Sequence, residues 1–154
     1  MAAYFLDSSA LIKRYVRETG TNWVRSITDP AAGHQVFAAR LGILETAATL
    51  LRQARAGSLT APEAASAVNH LRHAFAHEFH VVELTVALSS HALNLVQNHA
   101  LRGADAVHLA AATELQRRRA TSGLPALTFI SADSEQNRAA RAEGLLLDDP
   151  NTHP

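Results

Sequence analysis

Residues 4–13 read YFLDSSALIK, an apolar run that stops at an acid and then continues into a helical pattern. The apolar run, Tyr4 to Leu6, is typical of a short buried strand. Asp7 ends this run, and the residues that follow it, as far as Val16, have the spacing of a helix. The opening of the chain therefore predicts a strand that leads directly into a helix, with a carboxylate at the junction.

The alternation of strands and helices continues along the rest of the chain. Further strands are predicted at residues 34–38, 79–84, 127–130 and 145–147. Helices are predicted between them, at residues 21–28, 41–56, 60–78, 85–99, 104–118 and 133–143. Strands that alternate with helices predict an α/β domain with a mostly parallel sheet. We expect one domain over residues 1–150, followed by a C-terminal tail at 151–154.

The composition is that of an ordinary globular domain. The chain has 154 residues, of which 47% are hydrophobic and 18% are charged, and its 14 basic residues balance 14 acidic ones. These values exclude a disordered chain and a histone-like polycation. Cysteine is absent, which excludes disulfides and thiolate metal sites. The sequence has neither a membrane-spanning apolar run nor a signal-peptide pattern, so we expect a cytoplasmic protein.

Three acids stand at positions that favour either a ligand site or a helix cap. Asp7 ends the first strand, and Asp133 lies just past the fourth, where parallel sheets bind ligands. Asp105 falls in the first turn of an alanine-rich helix, where it interacts favourably with the helix dipole. Asp133 also has the spacing of a capping box with Gln136. The residue pattern alone leaves the structural and the functional interpretation open.

A fourth acid, Glu45, does not stand out from the helical pattern around it. A helical wheel predicts an apolar face made of Ile43, Leu44, Ala47, Leu50, Leu51 and Ala54. Glu45 lies away from this face, beside Thr49 and Arg52. Periodicity therefore predicts that Glu45 is solvent-exposed and gives no reason to single it out.

Four segments, taken in order, resemble the motifs of PIN-domain ribonucleases, specifically the VapC-type toxins of bacterial type II toxin–antitoxin modules. They are residues 5–13 (FLDSSALIK), 43–50 (ILETAATL), 101–112 (LRGADAVHLAAA) and 129–133 (FISAD), and the similarity extends into residues 142–150. The ordered set spans almost the whole chain, and an acid is present at each of its four key positions. The resemblance implies a three-layer α/β/α sandwich and an endoribonuclease that hydrolyses RNA phosphodiester bonds.

The resemblance also implies a divalent metal site, occupied by Mg²⁺ or Mn²⁺, that carries the catalysis. Its expected ligands are Asp7, Glu45, Asp105 and Asp133, with Ser8 and Ser131 supporting them. Grouping these acids is physically reasonable, because neighbouring carboxylates repel each other unless a cation joins them. Hard divalent ions prefer such oxygen ligands.

The implied partners of a VapC-type toxin are a second copy of the chain, an RNA substrate and an inhibitory VapB-type antitoxin. An alternative from a different class is a catalytically silent PIN-like module that binds RNA or protein. The presence of all four acids argues against this alternative.

Basic residues close to the first acid are candidates for contacts with RNA. Lys13, Arg14 and Arg17 follow it within three helical turns, and we expect them to steer phosphate groups toward the acids. His108 lies one helical turn beyond Asp105, and we interpret it as a packing or orienting residue.

The first two predicted helices carry more large apolar residues than two thin surface helices readily bury. We expect some of them to line an exposed groove that an antitoxin segment fills. An arginine of the antitoxin would then reach the acidic site and compete with the metal. The residues expected to contact the partner are Leu11, Ile12, Tyr15, Trp23 and Ile27.

Overall fold

Five parallel strands form a single sheet at the centre of the structure, a computed structural model that describes residues 1–154. The strands are β1 (Ala3–Leu6), β2 (Gln35–Ala39), β3 (His80–Val82), β4 (Thr128–Ile130) and β5 (Leu146–Asp148). Their order across the sheet is β3-β2-β1-β4-β5, and every neighbouring pair is parallel. The predicted parallel sheet is confirmed.

Seven α-helices connect and follow the strands. They are α1 (Ser8–Leu11), α2 (Thr21–Thr28), α3 (Leu41–Arg55), α4 (Ala61–His77), α5 (Val86–Asn98), α6 (Gly103–Thr121) and α7 (Ser134–Ala142). Local signals set several of their ends: α4 begins at a reciprocal capping box between Thr60 and Glu63. None of these helices has the length and apolarity needed to cross a membrane.

Each face of the sheet is covered by its own layer of helices. Alternate strand residues point to opposite faces, and Phe5 and Phe129 accordingly join a core cluster with residues of α5, α6 and α7. Their rings stack with centroids 5.8 Å apart. Leu6 and Ile130 belong to a second cluster, on the other face, with residues of α1, α2 and α4. The expected three-layer α/β/α sandwich is therefore confirmed.

The path of the chain across the sheet reverses beside the central strand. From β1 the chain moves outward to β2 and β3, and it then crosses back to β4 on the other side of β1. In parallel α/β sheets, ligands bind at the carboxyl ends of the strands next to such a reversal. Asp7 directly follows β1 and Asp133 lies in the loop after β4, so both acids stand at this point.

The first predicted helix is shorter than its sequence pattern indicates. Helix α1 ends at Leu11, and the chain continues as a 3₁₀ turn over Ile12–Arg14. Within this turn the Lys13 side chain is buried, and its ammonium donates hydrogen bonds to the Thr19 carbonyl at 2.8 Å and to Asn151 Oδ1 at 2.9 Å. These bonds tie the turn to the loop before α2 and to the C-terminal residues.

The last residues of the chain pack against α2. The His153 ring stacks on Trp23 with a centroid distance of 4.0 Å, and its Nε2 lies 2.9 Å from Asp148 Oδ1. The segment predicted as a tail at 151–154 therefore makes specific contacts with the rest of the chain.

Candidate active site

One cavity at the carboxyl ends of β1 and β4 is lined by all four predicted acids. Its volume is about 530 Å³, and its acidic lining consists of Asp7, Glu45, Asp105 and Asp133. These residues come from the end of β1, from α3, from the first turn of α6 and from the start of α7. The fold thus brings together four carboxylates that are far apart in the chain.

Asp7 is the most buried of the four acids and is held by the first turn of α1. Its Oδ1 accepts hydrogen bonds from Ser9 Oγ at 2.6 Å and from the Ala10 amide at 3.0 Å, so the predicted capping role is present. Burial raises the pKa of Asp7 above its ordinary value, and nearby His108 and two serine hydroxyls offset only part of this effect. The ionised side chain therefore gains from any cation that enters the cavity.

A network of serine hydroxyls joins the loops that carry the first and the last acid. Ser9 Oγ lies 3.3 Å from Ser131 Oγ and accepts a hydrogen bond from the Ala132 amide at 2.8 Å. Ser131 Oγ in turn accepts from the Asp133 amide at 3.1 Å. Ser8, the predicted support, lies beside Glu45 in the same cavity. Sequence reasoning missed Ser9, although a serine two residues after an acid at a helix start is a local signal for this contact.

Asp133 caps α7, but the expected capping box is only half formed. Its Oδ1 accepts from the amides of Glu135 and Gln136 at 2.8 and 3.2 Å. The side chain of Gln136 does not return to the Asp133 amide; its Nε2 donates to the main-chain carbonyl of Asp105 at 2.8 Å. Gln136 is fully buried. It therefore connects the helix that carries Asp133 to the helix that carries Asp105.

Glu45 points into the cavity and not into open solvent, which corrects the helical-wheel prediction. The buried face of α3 consists of Gly42, Thr46 and Leu50. Leu44 and Leu51, expected on the apolar face, are 67% and 43% exposed. The helix is thus rotated from the orientation that hydrophobicity predicts.

The Glu45 carboxylate contacts a fully buried histidine. His108 Nε2 lies 2.5 Å from Glu45 Oε1. Burial by itself raises the pKa of Glu45, but the hydrogen bond and the charge of His108, together with Ser8 and Arg102, outweigh burial, so the pKa lies below its ordinary value. His108 is therefore an orienting residue, as interpreted from the sequence, but its partner is Glu45 and not Asp105.

The protein engages one oxygen of each carboxylate through the hydrogen bonds that orient it. These oxygens are Oδ1 of Asp7, Oδ1 of Asp133, Oδ2 of Asp105 and Oε1 of Glu45. No three Asp, Glu or His side chains lie close enough together to hold an ion between them, so the acids line the cavity without forming a closed cage. By its chemistry this all-oxygen set, with one buried carboxylate, fits Mg²⁺ or Mn²⁺.

The basic residues predicted to contact RNA do not line this cavity. Lys13 is buried and bound within the protein, which corrects its prediction as an RNA contact. Arg14 is paired with Glu78 at 2.5 Å, and Arg17 is exposed beside the loop before α2.

The cavity is instead bordered by two arginines that sequence reasoning did not single out. They are Arg52, near the end of α3, and Arg102, just before α6. Both are exposed. Arg102 lies only three residues before Asp105, and this spacing is the signal that was available in the sequence.

Most of the residues predicted to contact a partner are part of the core. Leu11 is fully buried, and Ile12 and Ile27 are 9% and 7% exposed. The prediction of a groove lined by these three is wrong for the isolated chain, because Leu11 and Ile27 belong to the core cluster on the face of the sheet covered by α1, α2 and α4, and Ile12 belongs to a smaller one with residues of α3 and α4. Tyr15 and Trp23 remain partly accessible.

A parallel α/β sandwich with a carboxylate-lined cavity at its strand ends is suited to divalent-metal chemistry on phosphodiesters. The sequence model of one family, described as the PIN domain, matches residues 4–142. The chain belongs to this family. It is also 34% identical over 144 residues to ribonuclease VapC45 of Mycobacterium tuberculosis, an alignment that covers 94% of this chain and 93% of the relative. The resemblance to VapC-type PIN-domain ribonucleases is therefore confirmed.

Solved structures of similar proteins support the fold. The M. tuberculosis toxin VapC20, described as cleaving the sarcin–ricin loop, superposes with a TM-score of 0.63 at 15% identity, covering 99% of this chain and 100% of that one. VapBC2 from Rickettsia felis, solved with a fragment of promoter DNA, superposes with a TM-score of 0.59 at 10% identity over 96% of this chain and 98% of that one. At these identities the likeness concerns the fold alone.

Proposed function

We propose that this protein is a metal-dependent endoribonuclease that acts as a VapC-type toxin. The observation that carries the proposal is the cavity that four carboxylates line at the strand ends, each with one oxygen already oriented by the protein. Membership of the PIN family and the similarity to a VapC ribonuclease over most of the chain support the same activity.

The proposed metal ligands are the four acids of the cavity, Asp7, Glu45, Asp105 and Asp133. A bound Mg²⁺ or Mn²⁺ would supply an activated water and would stabilise the negative charge that develops on the phosphate. The chain's own residues orient the ligands: Ser9 and the Ala10 amide hold Asp7, and His108 holds Glu45. Ser8 and Ser131 are proposed to support this arrangement from the same side.

RNA is the proposed substrate, and its backbone would be attracted by arginines at the border of the cavity. Arg52 and Arg102 lie there with exposed guanidinium groups. They partly offset the repulsion between the acids and the phosphates of an approaching strand. Arg14 and Arg17, which the sequence predicted as RNA contacts, lie outside the cavity. We therefore propose that they attract the RNA backbone only at longer range.

An antitoxin of the VapB type is the proposed inhibitory partner, and a homodimer is the proposed state of the toxin. The Rickettsia structure named VapBC2 provides a precedent among proteins of this fold. On this chain Tyr15 and Trp23 are the members of the predicted partner surface that remain accessible. The location we propose is the cytoplasm, where the RNA substrate is found.

The test measures RNA cleavage and thermal unfolding of the purified full chain and of its Asp7→Asn variant. Asparagine keeps the oxygen that accepts from Ser9 and Ala10 but removes the charge. We expect cleavage with Mg²⁺ or Mn²⁺ to fall by about 100-fold or more, because several kcal/mol of charge stabilisation depend on the metal. The melting temperature of the metal-depleted protein should rise, because a buried carboxylate no longer has to ionise.

A matched control is Asp29→Asn, since Asp29 caps a 3₁₀ turn by accepting from the Ala31 amide at 2.9 Å but is exposed and distant from the cavity. It should change neither measurement. Equal losses of cleavage and stability in Asp7→Asn would instead assign Asp7 a structural role. Failure of the wild-type chain to cleave any RNA with either metal would favour the alternative, a catalytically silent binding module.

A further inference from the structure

The guanidinium of Arg102 lies at the acidic cavity and contacts one of the proposed metal ligands. Its Nε donates to Asp105 Oδ2 at 3.1 Å. Arg102 is the N-cap residue of α6 and has an extended backbone. Its side chain therefore lines the cavity and does not lie along the side of the helix. A cation is thus already positioned against a carboxylate that a divalent ion would use.

The charge of Arg102 acts on three of the four acids and not on one partner alone. The hydrogen bond and the charge of Asp105 raise the pKa of Arg102 above its ordinary value, and the charges of Asp133 and Glu45 add to this effect. By reciprocity, the guanidinium offsets part of the repulsion among these three acids. Its removal would make the electrostatic potential of the cavity more negative.

The contact is nevertheless easy to break. One nitrogen of the guanidinium makes the only hydrogen bond of this side chain, and the side chain is 83% exposed. Exposed ion pairs of this kind contribute little to stability and are weakened by salt. A divalent ion, with twice the charge and a strong preference for carboxylate oxygens, would displace such a partner.

We infer that Arg102 is a built-in competitor of the metal: it offsets part of the negative charge of the acidic cavity and lowers the affinity for divalent ions. Binding of the ion to Asp105 displaces the guanidinium from that carboxylate. This inference rests on the proposed metal site. It assigns Arg102 a role that a surface ion pair on a helix would not have.

The same helix provides a matched comparison. Arg117 pairs with Glu114 at the same three-residue separation, through two hydrogen bonds of 3.1 and 2.8 Å. Glu114 is also bound by Arg118 and lines a different cavity, on the β3 side of the sheet. Removing Arg117 therefore breaks an exposed arginine–carboxylate pair without changing the charge near the four acids.

In the experiment the metal-depleted chain is titrated with Mn²⁺. The concentration of free Mn²⁺ is measured by electron paramagnetic resonance and gives the dissociation constant. Arg102→Gln should bind Mn²⁺ about two- to fivefold more tightly than wild type, the size expected for loss of an exposed ion pair. Arg102→Lys keeps the charge and should stay close to wild type, as should Arg117→Gln. The difference between Arg102→Gln and wild type should shrink as the salt concentration rises.

The outcomes separate this inference from the proposed function. If wild type binds Mn²⁺ and Asp7→Asn abolishes the binding, but Arg102→Gln binds equally or more weakly, the competitor role is wrong while the metal site stands. If wild type binds no Mn²⁺, or if Asp7→Asn leaves binding unchanged, both the metal site and the role of Arg102 are overturned.

Discussion

His108 Nε2 lies 2.5 Å from Glu45 Oε1, and the imidazole is fully buried beneath the acidic cavity. The other ring nitrogen, Nδ1, is buried without a hydrogen-bond partner. Helix α6 therefore serves the site twice: it carries Asp105 directly, and one turn later it carries the residue that orients Glu45. Of the two ring nitrogens only Nε2 makes a hydrogen bond, and its partner is Glu45.

Replacing His108 should impair catalysis more than folding. We expect His108→Leu to lower the cleavage rate by about 10- to 100-fold, the usual effect of losing a group that orients a metal ligand. Stability should change little, because leucine also removes the unpartnered Nδ1. His108→Gln keeps an N–H donor and should recover part of the rate. Steady-state cleavage and thermal unfolding, measured on both variants, check this; a leucine variant that unfolds easily would make His108 a packing residue.

Gln136 links two of the acids through the backbone, and its replacement should separate positioning from stability. Its Nε2 donates to the Asp105 carbonyl, whereas its Oε1 is buried without a partner. Gln136→Leu loses the hydrogen bond but also removes the unsatisfied oxygen, so the free energy of unfolding should change by less than about 1 kcal/mol. Cleavage should fall several-fold, because α6 and α7 lose the bond that fixes Asp105 relative to Asp133.

The control for this prediction is Gln136→Glu, which has the same shape but places a carboxylate in the core. It should destabilise the protein strongly above neutral pH, where the buried charge lacks a partner. Chemical denaturation and cleavage assays on both variants test the link. Unchanged cleavage by Gln136→Leu would contradict it.

Tyr15 gives a prediction about alkaline pH. Burial raises its pKa from 10.0 to about 12, and the nearby guanidinium of Arg14 offsets only part of this effect. Because the folded chain holds the phenolic proton more tightly than the unfolded chain, stability should decrease as the pH rises from 10 toward 12. Tyr15→Phe should remove this part of the decrease. Its stability at neutral pH should be equal or higher, because the Tyr15 hydroxyl is buried without a hydrogen-bond partner.

Urea unfolding at several alkaline pH values tests the prediction, with Tyr4→Phe as the control for the other tyrosine of the chain. Tyr4→Phe should keep the decrease in stability that wild type shows from pH 10 toward 12, whereas Tyr15→Phe should lose the part of it that Tyr15 causes. Parallel loss of stability in wild type and Tyr15→Phe over this range would show that Tyr15 does not titrate as its environment indicates.

Local sequence signals predicted most elements because these signals act within a few residues. The capping box at Thr60 and Glu63, and the capping position of Asp7, are interactions between neighbours, and both form as expected. The same logic placed Asp7 and Asp133 at strand ends, where a parallel sheet brings its carboxyl edge together. Backbone position was therefore predictable for these two acids.

Glu45 was not predictable from its helix, because the orientation of α3 depends on close contact and not on hydrophobicity. The buried face includes two small residues, Gly42 and Thr46, beside Leu50, and a Cβ added to Gly42 would lie 2.9 Å from Leu11 Cδ1. Leu44 and Leu51 are left exposed. The hydrophobicity pattern correctly places Leu50 in the core, but it misses the close contact at Gly42 and Thr46 that turns Glu45 toward the cavity. The family motif identified Glu45 where periodicity failed.

The basic residues show a second limit, since proximity in sequence does not give the direction of a side chain. Lys13 lies six residues after Asp7, yet its ammonium turns toward Thr19 and Asn151. Asn151 is far away in the chain, and no local pattern reveals that contact. Arg102 was missed for the opposite reason, because the start of a helix places it at the cavity although it belongs to no periodic face.

Gly20 provides a prediction on how the C-terminal residues are held. Its φ is +84°, and an added Cβ would lie 2.3 Å from the Pro150 carbonyl oxygen. Gly57 has the same φ but open space around it. Gly57→Ala should therefore lower the free energy of unfolding by only about 1–2 kcal/mol, the strain of a left-handed backbone at a residue with a Cβ. Gly20→Ala should lower the free energy of unfolding by about 2–5 kcal/mol, because the clash adds to the strain and pushes Pro150 away.

Displacement of Pro150 should also disturb the stacking of His153 on Trp23, the single tryptophan of the chain, and so change its native fluorescence. Urea denaturation followed by this fluorescence measures both effects, and equal costs for the two variants with unchanged spectra would show that the C-terminal contact is not formed.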